Sequence, residues 1–173
     1  MRIDAELSFN EGKTGPMNVE TTKDGETVAR KRAMGLLARA STAELSEALD
    51  RSWPEHRARD LKPAETGLVM LRGRAGGDGA PFNVGEATVT RAVVELPSGE
   101  RGYAHILGRD ATKARLAATL DALWQRASDR ADVERRALEP IARRLAAERD
   151  RARAETAATR VNFFTLVRGE DGA

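Results

Sequence analysis

With 173 residues and no cysteine, the chain has the length of one domain and cannot form a disulfide, a thiolate metal site or a protein-ligated iron–sulfur cluster. Its 29 basic residues, 24 of them arginine, nearly balance 27 acids. Residues 111–160 mix 12 basic with 8 acidic side chains instead of presenting the one-sign patch of a nucleic-acid binder.

The N-terminus, MRIDAELSFN, carries no apolar secretion signal, and no stretch approaches the ~20 apolar residues of a membrane span, so a cytoplasmic protein without membrane contact is expected. Residues 1–27 are polar and hold Gly12, Gly15, Pro16 and Gly25 without a sustained period. They predict a disordered extension or a misplaced start, with a single domain over 28–173. From about Thr27 the pattern turns helical, with Val28, Met34, Leu37 and Ala38 roughly on one face. Ser41 and Thr42 precede Glu44 and Glu47, which suit a helix start, and Leu45 and Leu49 form an apolar i, i+4 pair. Trp53-Pro54 should end that helix, because the residue before proline is pushed out of helical geometry.

The middle of the chain switches to strands over 66–74, 87–96 and 101–107. Period-2 alternation assigns Thr88, Thr90, Ala92, Val94 and Leu96 to the core and Val89, Arg91, Val93 and Glu95 to the opposite face. Pro97-Ser98-Gly99 is a turn signal, and sequential strands with short turns imply an antiparallel sheet. Gly76-Gly77-Asp78-Gly79 lies between two strand patterns, whereas a phosphate-binding glycine loop leads from a strand into a helix. A strand-to-strand loop is the better reading.

Asp110 is a natural N-cap for a helix whose Leu116, Leu120, Leu123 and Ala127 make a stripe facing the sheet. A further helical region spans about 131–158, with a break and fresh start expected at Pro140, and Ile141 and Leu145 facing inward. The chain closes on VNFFTLV at 161–167, a strand pattern apolar on both faces. Either the chain's own helices cover both faces, or part of that surface, with Phe163, Phe164, Leu166 and Val167, meets another protein. The expected fold is α+β: an antiparallel sheet packed by helices, in one domain with helical segments at both ends.

Few residues suggest chemistry. His56 and His105 each stand alone, no serine pairs recognisably with a histidine, and no metal site is expected in the chain. Arg72, Arg74, Arg91 and Arg109 could converge on a polyanion, since guanidinium forks match phosphate oxygens, although Glu65, Glu86, Glu95 and Asp110 make local ion pairs the default. Arg91, Arg109 and Arg168 are the candidate contacts to a substrate or a partner. A free-standing nucleotide- or nucleic-acid-binding module remains the alternative, prompted by the pI of about 9.3.

Taken in order, AETGLV at 64–69, GGDG at 76–79, GEATVTRA at 85–92, GY at 102–103, GRD at 108–110 and VNFFTLVRGED at 161–171 resemble the G subunit (PhnG family) of the phosphonate carbon–phosphorus lyase core complex. The resemblance covers about residues 28–173. It implies an accessory subunit that, with H, I and L partners, supports transfer of phosphonate onto the ribose of ATP. The products would be an alpha-D-ribose 1-(alkyl)phosphonate 5-triphosphate and adenine. It implies a two-fold assembly in which this subunit lies closest to I, with later carbon–phosphorus cleavage carried by J. ATP and phosphonate would be substrates of the complex, with no cofactor in this chain and no catalytic residue carried over.

Overall fold

The computed structural model describes residues 19–74 and 80–159, with side chains from Asp24 onward. Helix α1 (Val19–Arg39) leads into α2 (Thr42–Ser52), and strands β1 (Arg59–Gly73), β2 (Phe82–Glu95) and β3 (Arg101–Leu107) follow. Helix α3 (Ala111–Gln125), α4 (Ala127–Val133), a π-helical turn (Glu134–Leu138) and α5 (Glu139–Ala158) complete the described chain. The fold is α+β, with the strands antiparallel in the order β1-β2-β3.

The helix starts follow local chemistry. Ser41 Oγ accepts from the Glu44 N–H at 3.2 Å while Glu44 accepts from the Ser41 N–H at 2.7 Å, a reciprocal capping box. Asp110 Oδ1 accepts the Lys113 N–H at 2.8 Å and its other oxygen accepts the Thr42 hydroxyl at 2.9 Å, so one carboxylate caps α3 and ties it to α2. These hydrogen bonds, that from the Lys113 N–H first, hold Asp110 below the ordinary carboxylate range. As expected, α2 stops before Trp53-Pro54.

The core lies between one face of the sheet and the helices. Thr90, Ala92, Val94 and Leu96 are buried and Thr88 is half-buried, as alternation predicts; Val89 on the opposite face is buried too, outside the core cluster. Leu45, Leu49, Leu120, Leu123 and Trp124 fill the other side. Gly102 fixes how close α3 comes: a Cβ there would lie 1.8 Å from the Ala118 carbonyl oxygen and 2.7 Å from the Ala122 nitrogen. Only glycine lets β3 lie directly on the backbone of α3.

Several expectations need correction. Helix α1 opens at Val19, ahead of the start expected at about Thr27, and Val28 is 68% exposed while Ala33, Leu36, Leu37 and Ala40 are the residues buried. Ala127 is exposed because α3 ends at Gln125 and a new helix begins. A fresh α-helix does start at Pro140, which sits in the first turn of α5, but the chain does not break there. It runs on through a π turn whose flanking Val133, Leu138 and Glu139 keep helical dihedrals. The wider turn redirects the carbonyls that a proline ring would strike in a regular helix. The strands are also longer than read: β1 begins at Arg59 and β2 at Phe82. The GGDG segment and the 161–167 segment, with Phe163, Phe164, Leu166 and Val167, lie outside the described residues, as do residues 1–18 of the expected extension.

Candidate functional site

Four rows of residues cross the sheet face opposite the core, set by the strand register, one of them Lys62, Val93 and Tyr103. Arg59, Glu95 and Arg101 form a second row; Glu65, Arg91 and His105 form a third; Gly67, Val89 and Leu107 form a fourth. Glu95 accepts from the Arg59 Nε at 3.0 Å and the Arg101 Nε at 3.1 Å. These bonds, Arg59's first, hold the Glu95 carboxyl below its ordinary range.

Arg91 sits where alternation places it, on the exposed face. A cleft of about 200 Å³ surrounds it, lined also by Lys62, Glu65, Tyr103 and His105. Glu65 lies 3.0 Å from the Lys62 ammonium and 3.4 Å from the Arg91 guanidinium, so its charge is shared by both cations. Their hydrogen bonds, Lys62's first, hold Glu65 low. The cleft has the donors for an anion, with one carboxylate already inside it. Arg109 is exposed between Gly108 (φ 91°) and the Asp110 cap, and it does not line the Arg91 cleft. Arg168 lies outside the described residues.

A polar centre that sequence reasoning missed holds α1 against the sheet and α3. The Asp121 side chain is 0% exposed and accepts from the Arg30 Nε at 3.1 Å, the Arg30 Nη2 at 2.7 Å and the Tyr103 N–H at 2.9 Å. The hydrogen bond to Asp121 raises the Arg30 pKa against the opposing effect of burial, and the guanidinium lies 5.7 Å from the Tyr103 ring centroid. Beside it Arg130 stacks 4.4 Å over Trp124 and reaches Glu26 at 2.6 Å, while Trp124 Nε1 donates to Glu134 at 2.7 Å. The only signal in the sequence is an aspartate inside the apolar run of α3, and its partner stands 91 residues away. On the other side of the helical layer, Arg144 grips Glu44 at 2.7 and 3.1 Å. Burial pushes the Glu44 carboxyl up, yet the bonds from Arg144 and Ser41 outweigh it and hold Glu44 low. These carboxylates clamp helices together.

The sheet's other end has a different character. Beyond Thr66 and Thr90, whose hydroxyls lie 3.2 Å apart, β1 and β2 continue as a two-stranded arm. Leu68, Val69, Met70, Leu71, Phe82 and Val84 on it are exposed, Leu68 to 63% and Val84 to 61%. The register slips between Leu71 and Arg72, leaving Val84 without a Cα partner, a bulge that turns the tip.

One family model, that of phosphonate metabolism protein PhnG, matches residues 28–169. The chain belongs to the PhnG family. A relative in Rhizobium meliloti (strain 1021), named alpha-D-ribose 1-methylphosphonate 5-triphosphate synthase subunit PhnG, is 53% identical over 153 residues, which cover 88% of this chain and 97% of the relative. The PhnG match spans every described element from the Val28 turn of α1 through α5, so the helical clamps and the exposed arm both fall inside the family's extent.

Proposed function

We propose that this chain is an accessory subunit of a synthase that makes alpha-D-ribose 1-methylphosphonate 5-triphosphate. In this reading it works in the cytoplasm and supports, with H-, I- and L-type partners, transfer of phosphonate onto the ribose of ATP with release of adenine. Identity of 53% across 97% of a relative named as a subunit of that synthase carries the reading. The internal chemistry agrees with a supporting role: Asp121, Glu44 and Asp110 are each engaged in holding helices or caps. Among the described residues no helix is long and apolar enough to cross a membrane.

Its I-type partner would be the nearest neighbour, and J the partner for later cleavage of the carbon–phosphorus bond. Arg91, Arg109 and Arg168 remain the candidate contacts to triphosphate or to a partner, and Phe163, Phe164, Leu166 and Val167 the candidate interface in the tail. Reconstitution tests the reading. Phosphonate-dependent release of adenine from ATP should require this chain together with the other subunits and should be absent from this chain alone. Full activity of the other subunits without it would contradict the proposal.

A further inference from the structure

A two-stranded ribbon is at best marginally stable alone in water, and apolar side chains exposed on both of its faces mark a surface that is covered in use. The β1–β2 arm has that form. Leu68 pairs with Thr88 and Met70 with Glu86, extending the face that the helices cover farther along the sheet. Val69 pairs with Ala87 and Leu71 with Gly85 on the reverse face. Both leucines, the valine and the methionine are exposed.

Three occupants can be weighed. A second copy pairing about a two-fold axis brings the same face of each arm together and leaves the reverse face open. The tail of this chain, residues 160–173, begins after a run of α5 from Ala147 onward in which every side chain is exposed, roughly 18 Å of helix. A strand added at the arm's edge would cover neither face, and a single segment laid across the arm would cover only one. A different protein with apolar surface on two sides covers both.

We propose, resting on the functional reading above, that the β1–β2 arm seats this chain in the synthase by inserting between apolar surfaces of another subunit, which grips it on both faces. The wider sheet supplies the anchor, since β2 continues from the arm into the buried strand under α3.

The test uses the full-length tagged chain co-expressed with the other subunits of its synthase. One variant carries Leu68→Lys with Met70→Lys, and a second carries Val69→Lys with Leu71→Lys. Each should reduce the retained subunits by roughly tenfold or more, the scale of losing a buried cluster at an interface. The isolated variants should keep the melting temperature and near-ultraviolet dichroism of the parent chain, and a control carrying Arg59→Ala with Arg101→Ala should retain the subunits in full. Loss for one face only, or full retention by both variants, would overturn the two-faced grip. So would sedimentation showing an isolated dimer that either variant dissociates, because a second copy would then be the occupant. A melting temperature that falls equally on removing residues 160–173 and on mutating the arm would assign the arm to the tail and overturn the proposal as well. If the unaltered chain retains no synthase subunit, the functional reading itself fails, a result distinct from all of these.

Discussion

The two ends of the sheet are made from the same strands and live in opposite environments. At one end β2 and β3 lie under α3, where Gly102 allows backbone contact and Val94, Leu96, Leu120 and Leu123 exclude water. At the other, β1 and β2 run past the helical layer and present Leu68, Met70, Val69 and Leu71 to solvent. Apolar content does not separate them. Cover does. The covered end is where substitutions should cost folding stability, and the arm is where they should cost assembly.

The largest effect should come from Gly102→Ala. A methyl group 1.8 Å from a backbone oxygen cannot be absorbed by a rotamer change, so α3 and β3 must separate. The expected loss exceeds about 4 kcal/mol, in the range that calls for a named structural cause. Failure to recover soluble protein, or a melting temperature lowered by well over 10 °C, would show it; an unchanged melt would mean that the strand and helix are not in this contact. Next in size is Asp121→Asn. It removes the charge that Arg30 pairs with and weakens the acceptor of the Tyr103 N–H, with an expected cost of about 2–4 kcal/mol in urea unfolding, tempered because the Arg30 side chain is 29% exposed. A loss under about 0.5 kcal/mol would assign α1 to other contacts.

The smallest effect concerns pH. Glu44 is held below its ordinary pKa in the folded chain, so its contribution to stability is complete above the unfolded carboxylate value near 4.3 and disappears as pH falls through the lower folded value. Replacing it by Gln should lower stability at pH 7 by about 1 kcal/mol and reduce the slope of stability against pH below about 4.5. An acid limb identical to the parent's would show that the Arg144 pair contributes nothing.

What the sequence made legible was local. Ser41 and Asp110 announce helix starts because their side chains answer backbone groups within three residues. Alternation in β2 exposed its core face, and Arg91 stands on the outer face as read. The rest depends on distant partners. The first half of β1 hides behind Lys62, Pro63 and Glu65, and its register slips twice there, so no clean period survives. Asp121 gains meaning only from Arg30, and Gly102 only from the backbone of α3. An aspartate in an apolar run marks the first position, but neither partner can be read from neighbouring residues. Of the candidate contacts, Arg91 lies beside Glu65 and Lys62 and Arg109 sits apart from that cleft, an arrangement that sequence spacing could not supply.

Amide exchange, measured on the unaltered chain alone and within the co-purified synthase, compares the two ends most directly. Buried amides of β3 and α3 should exchange slowly in both states, while those at 68–71 and 84–86 should exchange fast alone and slow at least about tenfold in the complex. Equal exchange of the arm in the two states, fast or slow, would contradict a seat for the partner there.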